Sequence, residues 1–447
     1  MPRGGDPLDV RSVTRRDALG LAAGAALAVS GCRGGPVRRP KPTAVLRTRW
    51  GEDPWARGAY SFLPVGASPA DRRRLAVPVA DRLFFAGEAT STRFAGTAHG
   101  AYLSGRRAAR EVLDVARGGA SVVVVGAGLS GLAAARALAD AGIRAVVLEA
   151  RARVGGRIRT AHSTGSQVEL GAAWIHGVRG NPLVALAREA GRSTARFDYD
   201  KSKLFRAGEA VDPSGPERRL ARLLQRAASH GDALDDDISL AAGLRRARRP
   251  RNRLLDTLIA SEIEHEHAAD VDELSLWWWD EGHELPGGDA LVLRGYDALP
   301  RQLATDLDIR LGTPATRIAW HRDGVEAGGL HADHAIVTTP IGLLKEGRPR
   351  FEPALPRAHR LAIARLGAGL LDKVYLRFDE PFWDTELDLF RVAGTRPREF
   401  AEWVNLHKFT GEPALIGFNA GTAARRLARL DDGTFTARAL DALAHVG

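Results

Sequence analysis

The sequence predicts an α/β protein with two domains, each assembled from stretches that are not contiguous in the chain. Three observations carry that expectation. Residues 121–157, SVVVVGAGLSGLAAARALADAGIRAVVLEARARVGGR, read as strand, glycine turn, helix and strand in the order of a βαβ unit. Strand-like apolar runs return far downstream, at Asp308 to Trp320 and Ala335 to Leu344, where they can rejoin the same sheet. Between them, Val184 to Ala269 carries Leu, Ala and Arg at helical spacing, which suits a second domain. With 447 residues and 45% hydrophobic content, the chain is long enough to bury both cores.

Near the start, Thr14, Arg15, Arg16 and Leu19 resemble a bacterial twin-arginine export motif, followed by an apolar run, Ala18 to Val29, too short to span a bilayer. Val29, Ser30, Gly31 and Cys32 then resemble a lipobox, whose cysteine would be lipidated and anchor the protein to the cell envelope. A disordered Ala-rich leader with a chance Arg pair, leaving the protein cytoplasmic, is the alternative. Cys32 is the single cysteine, so no intramolecular disulfide can form. Arg33 to Thr43 reads as a Pro/Arg linker, and no other segment reads as transmembrane. The formal net charge of +10 comes from arginines dispersed along the chain, which argues against a nucleic-acid surface. The densest run, Arg245 to Arg253, reads as a solvated face or loop, with an acidic partner as the alternative.

Within the glycine unit each residue type has a physical task. Gly126 permits the tight turn, Gly128 lets backbone N–H groups approach a pyrophosphate, and Gly131 lets the helix lie close on the strand. Glu149, at the tip of the second strand, can accept a ribose 2′-OH and would repel a 2′-phosphate. A bare G-x-G-x-x-G is weak, but strand, turn, helix, strand and acid in the required order make this a Rossmann-like dinucleotide cradle. Arg157, after the second glycine pair, is placed to neutralise a diphosphate.

The extended form ending in RVGGR resembles the FAD signature of the flavin-containing amine oxidases. Further likenesses to that family are RTRWGEDPW (residues 47–55), LFFAGEATSTRFAGTAHGAYLSG (83–105), WIHG (174–177), Gly342 to Lys345, the strand around Lys373 and NLHK (405–408). The likeness is greatest to plant-type polyamine and spermine oxidases and extends to the flavin-dependent histone lysine demethylases. It implies a FAD-binding domain over residues 81–183 plus 288–342, and an α+β substrate domain over 44–80, 184–287 and 343–447, after a leader and linker over 1–43. The FAD would be non-covalent, held by Gly126, Gly128, Gly131, Glu149, Arg151, Gly156, Arg157, Ala173, Trp174, Ala315, Glu88, Thr97 and Ala98. In relatives the 47–65 and 83–105 motifs close the chain; here they precede the cradle. The simplest description is a circular permutation: a helix from about Ala98 to Ala116 ends away from the cofactor, where the strand at Val122 must begin. A rearranged gene is the alternative.

Lys373 stands in an apolar strand of a chain where lysine is scarce, and burial should lower its pKa. By resemblance it holds a water at flavin N5. Tyr60 supplies one aromatic wall of an amine cage; Thr97 replaces the second, implying an open cage that admits a secondary or bulky amine. His176 matches a position beside the substrate tunnel, although a lone histidine is more often structural. Trp50 and Trp55 lie near the flavin in relatives, with a plain core role as the alternative. Asp280, Glu281 and Glu284 suit either an acidic entrance or a surface turn, and Trp277 to Trp279 read as core and domain interface. No metal-ligand spacing and no hydrolase triad is evident. The implied reaction takes a neutral (poly)amine by hydride transfer to flavin N5, giving an imine, then an aldehyde and a shorter amine, with O2 reduced to H2O2. An L-amino-acid or other flavin oxidase, and a non-catalytic FAD-binding exported protein, are the alternatives.

Overall fold

The computed structural model describes residues 41–163, 166–444 and 446; the stretch expected to be an export leader, with Arg15, Arg16 and Cys32, lies outside them. A wholly parallel five-stranded sheet runs Asp308–Arg310, Arg144–Leu148, Ser121–Val125, His334–Val337, Leu83–Phe85. Val122 to Val125 are all buried, as a strand covered on both faces requires, and that is why the run is apolar without alternation. Helices Ala98–Val115 and Leu129–Asp140 cover one face, where Phe84, Val122, Val124 and Ile336 meet Ala108, Val112, Leu132 and Ala135. A four-stranded sheet, Leu330–Ala332, Gly324–Ala327, Arg317–His321 and Arg350–Glu352, covers the other through Ile318, Val325 and Ala327. The helix ends at Val115 and the strand begins at Ser121, so a five-residue turn joins them.

The second sheet has seven strands, in the order Ala44–Arg47, Leu371–Arg377, Ala414–Ala420, Glu402–Asn405, Leu389–Val392, Ser202–Arg206, Glu209–Val211. Its one parallel pairing joins Ser202–Arg206 to Leu389–Val392. Beside it, helices Ser214–Gly231, Leu240–Arg246 and Arg253–Ile259 bury Leu223, Leu244 and Leu258 in a helical core closed by Leu274 and Leu276.

The helical expectation for residues 184–269 fails over Thr194–Phe197, Ser202–Arg206 and Glu209–Val211, which are strands. Pairing with distant partners such as Leu389–Val392 outweighs local spacing there. The strand expected over Ala335 to Leu344 stops at Val337, because Pro340 caps the short helix Ile341–Lys345. Trp278 is 39% exposed, so the tryptophan run is only partly core; Trp277 Nε1 donates to Gly231 O at 2.8 Å. The basic run ends the helix Leu240–Arg246 and enters a loop, with Arg249 ion-paired to Asp256. A last helix spans Asp432–Leu443. Among the described residues, no helix is long and apolar enough to cross a membrane.

Candidate functional site

The site grows from the turn after Ser121–Val125. Gly126 has φ +106°, a left-handed conformation that favours glycine, and its N–H donates to Leu148 O at 2.8 Å. A methyl group on Gly131 would lie 1.9 Å from Gly126 O, so the helix reaches this strand only because that position is bare. Gly128 is different: it caps the helix Leu129–Asp140, and a methyl there would meet no atom within 4 Å. Open space therefore fronts a helix N-terminus, whose free N–H groups and positive dipole end suit a phosphate. Glu149 is buried and tied down: Oε2 accepts from Ala127 N and Oε1 from Arg151 N, both at 2.8 Å. The Gly155 N–H donates to Ala127 O at 2.8 Å, folding Gly156 back toward Gly128. Arg151 forks onto Asp53 at 2.6 and 3.0 Å, and the Gly312 to Ala315 loop is held by a Thr313 N–H to Glu149 O bond of 2.8 Å.

Glu88 closes this cradle from 69 residues upstream of Arg157, whose Nη1 donates to Glu88 Oε1 at 2.9 Å and to Ala59 O at 2.7 Å. Ser61 Oγ at 2.6 Å and Gly96 N at 3.1 Å donate to the other Glu88 oxygen. Burial pushes the carboxyl up, but Arg157, Ser61 and nearby Arg72 outweigh it and hold the group below the usual glutamate range. Arg72 is itself buried; it donates to Ser61 Oγ and Glu281 Oε1, both at 2.6 Å. Glu281 therefore answers a buried guanidinium instead of lining an open acidic entrance. Thr97 caps helix Ala98–Val115, its Oγ1 accepting from Gly100 N and donating to Phe94 O, both at 2.9 Å. The hydroxyl thus aims the helix start. Ser104 Oγ receives the Gly87 N–H at 2.8 Å, binding that helix to the Glu88 turn.

A second group forms where strand Leu371–Arg377 passes the cradle. Lys373 is buried; its Nζ donates to Glu169 O at 3.0 Å and Gly171 O at 2.5 Å. It lies 5.6 Å from the Trp174 ring centroid and 5.7 Å from that of Phe418. Desolvation lowers its pKa to about 8, opposed by the Glu169 carboxyl, which burial raises to about 7. Trp174 Nε1 is buried without a partner among the described residues. Trp50, also buried, donates its Nε1 to Leu170 O at 3.2 Å, and Ala173 is core. Tyr60 donates its hydroxyl to His265 O at 2.5 Å and packs on the Gly96 turn that precedes Thr97. Trp55 stacks under Arg348 at 5.1 Å.

His176, just beyond the strand Trp174–Ile175, has a side chain 41% exposed, with Nδ1 2.8 Å from Asp289 Oδ2. Tyr199 OH donates to that same oxygen at 2.9 Å, and Gly177 N to the other at 2.9 Å. Buried His99, in the first turn of Ala98–Val115, is driven down to about 4 by desolvation and by His176. Sequence reading passed over Arg72, Asp289 and His265. An arginine among so many and an aspartate at the start of a short strand carry no local signal, whereas the run EHEH at residues 264–267 could have drawn attention to the last.

The arrangement can hold an extended phosphate-bearing ligand along the glycine turn and present one end of it to a buried amine between aromatic rings. A family model described as flavin containing amine oxidoreductase matches residues 21–113 and 129–447. Polyamine oxidase 4 of Oryza sativa subsp. japonica is 36% identical over 340 residues, 70% of each chain. Lysine-specific histone demethylase 1 homolog 2 from the same organism is 37% identical over 357 residues, 72% of this chain and 46% of its own. Among solved structures, putrescine oxidase bound to putrescine shares the fold at TM-score 0.60 and 23% identity, over 73% of this chain and 82% of that one.

Proposed function

The chain belongs to the flavin containing amine oxidoreductase family, and from that premise we propose that it is an FAD-dependent oxidase of polyamines or related amines. Its cofactor is FAD, and the residues present fit one: Gly128 leaves space at a helix N-terminus, and Arg157 and Glu88 meet beside it. With Cys32 the sole cysteine, and in the leader, the FAD is held without a thioether. Gly126, Gly128 and Gly131 shape the phosphate seat, Glu149 faces the ribose, and Arg151, Gly156, Arg157, Ala173, Trp174, Ala315, Glu88 and the Thr97–Ala98 helix start complete the enclosure. When bound, the flavin supplies the acceptor for a hydride equivalent from the amine α-carbon and passes the electrons to O2, releasing H2O2.

The observation that carries the reading is Lys373, a buried amine held between the rings of Trp174 and Phe418. An amine with a pKa near 8 shares its proton readily at physiological pH, so it can hold and orient a water without a fixed full charge. Tyr60 offers a ring face to the substrate, while Thr97, occupied as a cap, leaves the opposite side open to a bulkier amine. His176 and Asp289 lie at the approach, where a cationic amine can pair before it loses its proton.

The order of motifs reads as a circular permutation, supported by a family match that falls in two pieces and by the five-residue turn between Val115 and Ser121. The leader reads as an export and lipid-attachment signal, on the residues Arg15, Arg16 and Cys32. The purified, yellow protein should bleach anaerobically with spermine, spermidine or putrescine and release peroxide in air. Bleaching by an L-amino acid in place of these amines would move the substrate class, and colour without bleaching by any amine would defeat the oxidase reading.

A further inference from the structure

We propose that His265 receives an N–H of the substrate amine and so selects amines that keep an N–H in their neutral form; this deepens, and rests on, the amine oxidase reading above. The backbone delivers it in an unusual way. Residues Ala260–Glu264 form a π-helical turn, a local distortion that recurs at functional sites because it moves side chains out of helical register. The short helix His265–His267 follows and ends on Ala268, whose φ of +53° is rare for a residue with a side chain. Ala268 O accepts Leu370 N at 2.6 Å, at the mouth of the strand that carries Lys373.

The ring therefore packs into the same aromatic cluster as the lysine. Its centroid is 6.0 Å from that of Phe418, the cross-strand register partner of Lys373, and Phe418 is 6.0 Å from Trp174. Tyr60 hydrogen-bonds the backbone carbonyl of the same histidine. The residue is 6% exposed, and neither Nδ1 nor Nε2 has a partner among the described residues. Two desolvated ring nitrogens without partners are costly, and a ligand that supplies one removes part of that cost. Burial also holds the imidazole neutral, its pKa down to about 3. A neutral imidazole has one donor and one acceptor nitrogen. The acceptor can take an N–H without keeping the substrate protonated, and the amine's lone pair stays free for the developing iminium. A carboxylate in that place would hold the amine as an unreactive ammonium. The nearby acid, Glu264, is engaged elsewhere, with Arg398 at 3.0 Å and the Val271 N–H at 3.2 Å.

The test compares FAD-loaded wild type, His265→Phe and His265→Asn on a secondary amine and on its N-methylated tertiary analogue. Removing the acceptor should raise KM for the secondary amine by about tenfold or more and leave the tertiary amine unchanged. His265→Asn, which restores an acceptor, should recover most of the loss. Calorimetric binding of a secondary amine lacking α C–H bonds should weaken by the same factor in His265→Phe. Equal losses on both amines, no loss on either, or no recovery with asparagine would overturn the assignment. Should wild type oxidise neither amine, the oxidase reading falls, and the calorimetric comparison still decides the role of His265.

Discussion

Replacing Lys373 by methionine removes a buried amine while keeping a side chain of similar length between Trp174 and Phe418. Desolvation lowers this lysine from 10.5 to about 8. At 1.36 kcal/mol per unit, the folded protein disfavours its charged form by about 3 kcal/mol. The sign follows from proton counting: between pH 8 and 10.5 the unfolded chain holds more protons at this site, so stability rises with pH across that window. The penalty is absent above 10.5, grows as the pH falls to about 8, and is constant below. Methionine carries no such term, and the two carbonyls it leaves without a donor cost the same at every pH. The stability difference between wild type and Lys373→Met should therefore shift by roughly 2 to 3 kcal/mol from pH 8 to 10.5 in favour of wild type. Glu169, which burial raises and Lys373 lowers, is replaced by glutamine in both proteins so that its own titration stays out of the comparison. Urea unfolding of both proteins at several pH values, with equal excess FAD, measures the shift. A difference that stays constant across the window would refute the buried-amine argument. Unaltered rates of reduction by amine and reoxidation by O2 in the same variant would separately sink its catalytic role.

The glycine turn separates ligand space from packing. Gly128→Ala should leave apoprotein stability within about 1 kcal/mol yet cost FAD affinity tenfold or more, read by flavin fluorescence titration, since the new methyl meets only open space. Gly131→Ala should instead destabilise the fold itself by about 2 kcal/mol or more in thermal melts, because its methyl would sit 1.9 Å from Gly126 O. Equal behaviour of the two variants would contradict the assignment of the open side. Moving residues 44–117 behind residue 447, through a short linker, should give a protein that still binds FAD and folds; failure to fold would count against reading the present order as a permutation.

What the sequence made legible was contiguous and local. The turn at Gly126 to Gly131 needs residues within one βαβ unit, and Thr97 followed by the Ala98–Val115 helix is likewise a local cap and stripe. Lys373 stood out through rarity and an apolar setting. What escaped depended on partners far away in the chain. Strand Ser202–Arg206 exists because Leu389–Val392 lies beside it, and Arg72 is buried because Glu281, 209 residues on, waits for it. His265 reads as one member of a polar helical run until the sheet places Phe418 against its ring. The acidic turn holding Glu281 changed meaning for the same reason: a buried cation, absent from any local window, claims it.

Leu83–Phe85 pairs only with His334–Val337 in its sheet. From Leu83 to its partner Ala335 the ribosome must add roughly 250 residues, on the order of 10–50 s at usual elongation rates. For that interval the strand that leads into Glu88 is synthesised but has no partner strand in the sheet, and its Leu-Phe-Phe edge is an aggregation hazard. An order that ended on this strand would let it dock at once onto a finished sheet. The present order makes it wait, so yield on expression should depend on chaperone supply and on translation speed through residues 86–335 more than on the stability of the finished protein.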